Sequence, residues 1–127
     1  MEFTFNNKSS RDFNIKIKKS NHLSIPRKKI EFIEVQGRTD NLIVDEGSRE
    51  MLDIEIEAYI DCRDLDTKTY ALRLDEWLNG SNGYSNLIFD DGVELKAIFV
   101  GQIDFNSITK NFEEILLQFK AYRESDL

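Results

Sequence analysis

Cys62 is the only cysteine among 127 residues, which rules out a disulfide within the chain and any zinc site built on several thiolates, so the fold must hold by packing. His22 is the only histidine and sits in a basic, polar stretch, so Cys62 has no evident imidazole to activate it and a Cys/His nucleophilic pair is not expected. The one proline, Pro26, lies between Ser20 and Lys29, where its missing amide donor marks a loop or a strand start. No apolar run approaches the roughly 20 residues of a membrane helix, so no membrane partner is expected. The N-terminus Met1-Glu2-Phe3-Thr4-Phe5 lacks the basic-then-apolar signature of an export signal, which implies synthesis and folding in a cytoplasm. Phosphate-binding glycine loops, nucleophile elbows and metal-ligand spacings are also missing, and with them the signals for an enzyme, a cofactor or a metal.

Hydrophobic residues make up 40% and charged residues 32%, a balance that suits a globular domain and neither a disordered nor a membrane-embedded chain. The length suits one domain over residues 1–127. Net charge is −7 and unevenly spread, with Lys8 to Lys29 basic and the spans 40–57 and 61–94 mainly acidic. The basic stretch carries no interleaved aromatics and the chain as a whole repels phosphate, so specific nucleic-acid binding is not expected.

Alternation dominates the first sixty residues: Phe3 and Phe5; Phe13, Ile15 and Ile17; Ile30 and Phe32 against Ile33 and Val35; then Leu52, Ile54, Ile56 and Ala58. Period two predicts strands with one buried face, most clearly over residues 51–60, where Asp53, Glu55 and Glu57 share the opposite face. From Thr67 the period changes. Tyr70, Leu74, Trp77 and Leu78 fall at helical spacing, Asp66 or Thr67 is placed to cap, and Asn79-Gly80 supplies a stop. Strand character returns in Leu87-Ile88-Phe89, and Asp90-Asp91-Gly92 before the run from Val93 to Val100 reads as a hairpin. The segment 112–122 fits helix and strand alike. It reads as a strand because Phe105 to Thr109 already alternates and Asn106 to Asn111 supplies a hairpin-like break. The predicted class is strand-dominated α+β, an antiparallel β-sandwich-like domain with one α-helix, whose sheet edges must be covered, charged or paired.

Several clusters invite chemistry. Asp61, Asp64 and Asp66, near Asp53, Glu55 and Glu57, suggest a cation site, but counted from Asp61 the sixth and twelfth positions of a calcium loop hold Asp66 and Leu72 rather than glycine and glutamate. Asp90 and Asp91 beside Glu94 suggest a glycosidase carboxylate pair, yet neighbours in a strand-turn motif point to opposite faces and a turn is the simpler reading. Trp77 at its spacing reads as core rather than as an exposed recognition aromatic.

The segment Val35-Gln36-Gly37-Arg38-Thr39-Asp40-Asn41-Leu42 forms a tight elbow between strands, with Gly37 free to take positive φ, Asp40 and Asn41 able to close the turn, and Arg38 near enough to pair with Asp40. Taken with Asn6-Asn7-Lys8-Ser9-Ser10-Arg11-Asp12-Phe13-Asn14, with Trp77-Leu78 and with the span from Leu87 to Gly101, it resembles the N-terminal domain of the siphophage and prophage distal tail proteins. The family's opening turn reads Asn-Gly-Lys-x-Ser-x-Asp-Phe-Gly, and asparagine stands here at both glycine positions. The family elbow Val-Pro-Gly-Arg-Asp-Gly is matched by Val35 to Asp40, with Gln36 for proline and Thr39 inserted.

The resemblance implies a virion structural protein at the tail tip or baseplate. It would be a homo-oligomer forming a hexameric ring that joins the tail tube protein to the tail-associated hub and host-binding apparatus, without the galectin-like C-terminal domain many members add. Gly37, Arg38, Asp40, Asp12, Phe13, Trp77, Asp90 and Asp91 would be its turn and assembly candidates, and an acidic lumen, repelling DNA, would let the genome pass without sticking. Two rivals are another tail-tube-like baseplate component and a small monomeric carbohydrate-binding β domain using Tyr59, Tyr84 or Tyr122, which no spacing groups.

Overall fold

The computed structural model describes residues 1–63, 65–104 and 112–123. Seven strands form one antiparallel sheet: β1 (Phe3–Phe5), β2 (Lys8–Ser9), β3 (Ile15–Ser20), β6 (Leu52–Asp61), β7 (Ser85–Phe89), β8 (Glu94–Phe99) and β9 (Phe112–Tyr122), in the order β2-β1-β7-β8-β9-β6-β3. Two more, β4 (Lys28–Ile33) and β5 (Leu42–Arg49), pair only with each other, and the one α-helix among the described residues, α1, spans Thr67–Asn79. This is the strand-dominated α+β class the periodicity predicts. Residues 105–109, read from the sequence as alternating, and the break over 106–111 lie outside the described residues, as does Asp64.

The sheet is strongly curled. In a flat sheet β1 and β9 would lie three strand spacings apart, about 14 Å. Instead the rings of Phe5 and Phe119 approach to 5.0 Å and those of Phe3 and Phe119 to 6.5 Å. The alternating apolar faces of β6, β8 and β9 line the inside of this curl, and α1 closes it with Tyr70, Leu74, Trp77 and Leu78, the four residues its spacing singled out. Trp77 is the keystone. It stacks on Phe13 at 4.2 Å, lies within 5.8 Å of Phe3, and donates its indole N–H to the carbonyl of Phe5 at 2.7 Å. Tyr70 likewise donates its hydroxyl to the carbonyl of Phe13.

Phe13 does not begin a strand. Residues Ser10–Phe13 form a turn of 3-10 helix capped by Ser9, whose hydroxyl accepts from the Arg11 amide, and Asn14 reverses the chain at φ +57° before β3 starts. Asn7 and Asn14, at the two positions where the distal tail pattern has glycine, take φ +66° and +57°, so the left-handed conformation a glycine would supply is reached by asparagine, the side chain best able to tolerate it, and Asn6 is left-handed too at φ +50°.

The helix ends differently from expectation at both termini. Asp66 occupies the N-cap position, but its carboxylate accepts from the Thr69 hydroxyl rather than from a backbone amide. Gly80 stops the helix without turning left-handed; its φ is −77°, and it is glycine because a Cβ there would lie 2.1 Å from the carbonyl oxygen of Glu76. Backbone cannot yield as a flexible side chain would, so Gly80→Ala is expected to lower stability by about 1–3 kcal/mol, read as a fall in the urea midpoint at unchanged slope.

Candidate assembly surface

The strands β4 and β5 leave the body as a hairpin arm, with the elbow at its tip. Gly37 there takes φ +84°, and Arg38 grips Asp40 through two contacts, Nε to Oδ1 at 3.3 Å and Nη2 to Oδ2 at 2.8 Å. The turn and ion pair read from the sequence are both present. The buried face predicted for β4 is not: every residue of that strand is exposed, and its partner strand is covered only near the root.

Register shows what the arm offers. Phe32 pairs with Ile43 on one face beside Ile30, while Ile33 pairs with Leu42 on the other beside Val44. All six are exposed, Phe32 at 63% and Ile43 at 60%. A two-sided apolar ribbon is not a structure a chain maintains for solvent, and apolar patches of this kind mark contact surfaces. The sheet's own edges are guarded instead: β2 is two residues long, and β3 carries Lys16, Lys18 and Lys19 with a bulge between Ile17 and Lys19. Exposed apolar side chains thus recur along both faces of the arm, while the sheet's edges are short or charged.

The arm's root is bound to the body by polar contacts. Asn21 exchanges bonds with β6: its amide group donates to the Asp53 carbonyl at 3.0 Å and its side-chain oxygen accepts from the Glu55 amide at 2.8 Å. Pro26 is buried, its carbonyl accepting from Arg49, and the Glu50 amide donates to the Arg27 carbonyl at 2.7 Å, closing the root where β5 runs into β6.

His22 departs most from the sequence reading. Within that basic, polar stretch its side chain is buried, 4% exposed, with its ring stacked on Phe89 at 3.8 Å and nearly parallel. Its Nε2 lies 2.7 Å from Asp91 Oδ2 and its Nδ1 2.8 Å from the Ser20 hydroxyl. A carboxylate only accepts, so Nε2 carries the proton. Asp91 also accepts from the Val93 amide, and these two contacts, the His22 one foremost, hold its carboxyl below the usual carboxylate range. A group with a depressed folded pKa stabilises above its unfolded value, and that contribution disappears as pH falls through the lower folded value. The melting temperature of the wild type should therefore exceed that of Asp91→Ala by its full margin above about pH 4 and by a shrinking margin below it, read by thermal scans across the acid range.

The remaining sequence candidates have defined places. Asp12 is exposed on the 3-10 turn; Phe13 and Trp77 are core, so their rings are not surface. Asp90 accepts from the Glu2 amide at 2.9 Å and secures the N-terminus beside the β7–β8 hairpin, so Asp90 and Asp91 look to different partners. Asp61 is gripped by Arg63 at 2.8 Å, which pulls its carboxyl down to about 2. Among the described residues no three of His, Cys, Asp and Glu converge as metal ligands. Cys62 donates to the carbonyl of Ile60, burial pushes its thiol up, and His22 is occupied elsewhere. Tyr84 and Tyr122, ungrouped in the sequence, meet edge-to-face at 5.1 Å, whereas Tyr59 stands apart under Lys18. Tyr84 lies just before β7 and Tyr122 ends β9, so the β7-β8-β9 order brings together residues that the chain keeps far apart.

The crystal structure of SPP1 Dit (gp 19.1), described as a paradigm of the hub adsorption apparatus in phages that infect Gram-positive bacteria, superposes on 94% of this chain with a TM-score of 0.73. The chain has a Dit-like fold. Identity across the match is 13%, and the chain spans about half the length of SPP1 Dit, 48% of it. No protein-family profile and no curated protein matches the sequence. The Dit-like fold therefore rests on shape, including the curled sheet and its closing helix, rather than on shared residues.

Proposed function

We propose that this protein is a structural component of a phage tail tip, assembling through its β4–β5 arm into a ring that joins the tail tube to the tail-associated hub and host-binding apparatus. The arm carries this reading: six apolar side chains on its two faces have no cover within the body, and a neighbouring copy supplies it. The Dit-like fold and the elbow's likeness to the distal tail pattern support the same place in a virion, and the resemblance favours six copies. The outer face of β6, with Asp53, Glu55 and Glu57 exposed or half-exposed, is the acidic surface proposed to flank the lumen through which DNA passes.

Light scattering behind a sizing column, over a wide concentration range and with negative-stain imaging, tests this. The expected species has six times the 14.9 kDa protomer mass and a ring outline. A strict monomer at every concentration would contradict self-assembly through the arm. The edge-to-face Tyr84–Tyr122 pair is the one observation that favours a saccharide-binding monomer, and it does so weakly, because that geometry covers one of the two ring faces a sugar would stack on.

A further inference from the structure

The arm is joined to the body by two chain segments, 21–27 and 50–51, and an apolar ribbon on two strands of chain could swing. Asn21 and Pro26 hold the segment 21–27 against β6 and the root of β5, and His22 is its side chain that reaches across to the β7–β8 turn. His22 fills a slot over Phe89, and its two ring nitrogens face an anionic acceptor, Asp91, on the β7–β8 turn and a hydroxyl, Ser20, at the end of β3. Stacking alone would bury the ring yet leave it free to turn in its plane. Hydrogen bonds at both nitrogens remove that freedom, and the bond to a carboxylate is of the stronger, directional kind.

We propose that Ser20, His22 and Asp91 form a latch that sets the direction of the β4–β5 arm relative to the sheet. The latch ties the last residue of β3 and the first turn of the root, two positions apart, to a hairpin 69 positions further on. Its consequence for assembly rests on the proposed role of the arm. A head-to-tail contact closes into a ring only when each subunit is rotated by the right angle, and otherwise grows as an open chain. An arm held at one angle favours closure.

The latch is testable without reference to assembly. Nitroxides at Gln36→Cys on the elbow and Lys68→Cys on α1, in a Cys62→Ser background and diluted into excess unlabelled chain, report the arm-to-body distance by pulsed electron resonance. In the wild type the distribution is expected to be narrow. His22→Phe keeps an aromatic ring over Phe89 and removes both hydrogen bonds, and should widen the distribution about twofold by releasing a local motion. Asp91→Ala leaves the imidazole stacked and removes its acceptor. It carries the same expectation, and serves should His22→Phe fail to fold. Asp91→Asn should keep the narrow distribution, since with its oxygen accepting from Val93 its amide group donates to Nε2 once the ring carries its proton on Nδ1, where the Ser20 hydroxyl accepts it.

Unchanged width in the folded variants would overturn the latch, whatever their oligomeric state. Broad distances together with unaltered closed rings would uphold the latch and contradict the role of arm direction in closure. Loss of the wild-type oligomer in the latch variants with narrow distances would overturn the latch while leaving arm-mediated assembly standing.

Discussion

Replacing Phe32 and Ile43 together by aspartate is expected to abolish self-association while leaving the body as stable as before. The two residues face each other across the arm, are the most exposed of its apolar side chains, and touch nothing in the core. Truncating a buried interface anchor costs roughly 2 kcal/mol or more, so losing two weakens association by about a thousandfold or more, and charge placed in an apolar contact adds to the loss. Thermal unfolding of the variant should match that of the dissociated wild type, because neither side chain is covered in the single chain. A shared melting temperature with lost oligomer places the residues at an interface. A large fall in melting temperature would mean that the arm packs onto its own body in solution.

Trp77→Ala is expected to have the opposite profile, a collapse of the body with no specific effect on the arm. A buried tryptophan truncated to alanine costs about 3–5 kcal/mol in cavity and transfer terms, a large share of the roughly 5–15 kcal/mol that holds a domain together. Here the cost sits at the top of that range, since the indole also satisfies the carbonyl of Phe5 and stacks against Phe3 and Phe13. Trp77→Phe separates the two parts. It keeps much of the packing but leaves the Phe5 carbonyl without its donor, at about 1–3 kcal/mol. Denaturant midpoints of the three proteins should fall in the order wild type, Trp77→Phe, Trp77→Ala.

The elements whose signal is local were legible. The alternation of Leu52, Ile54, Ile56 and Ala58 against Asp53, Glu55 and Glu57 is the alternation of β6, and the spacing from Tyr70 to Leu78 is the inner face of α1. The hairpin at Asp90-Asp91-Gly92 and the elbow at Gly37 were read from turn chemistry that involves no distant partner. What stayed hidden depends on residues far along the chain. Alternation in β4 looks the same whether its apolar face is covered by the chain itself or by another, so exposure of Phe32 could not be read from the pattern. His22 sits in polar sequence, and nothing within that stretch announces a carboxylate 69 positions away or a phenylalanine ring beneath it. Phe13 alternates with Ile15 by chance of spacing; the left-handed Asn14 between them breaks the strand. The curl of the sheet is hidden for the same reason, since Phe5 and Phe119 meet only after four strands have paired in order.

Amide hydrogen exchange, followed by mass spectrometry on dilute protein and again at the highest concentration or in isolated tail tips, tests the central claim most directly. The prediction is fast exchange over 28–33 and 42–49 in the dilute chain, strong protection of the same segments on assembly, and no change over the core strands β6 and β9. Assembly with those two segments still exchanging as in the single chain would contradict the arm as the contact that builds the ring.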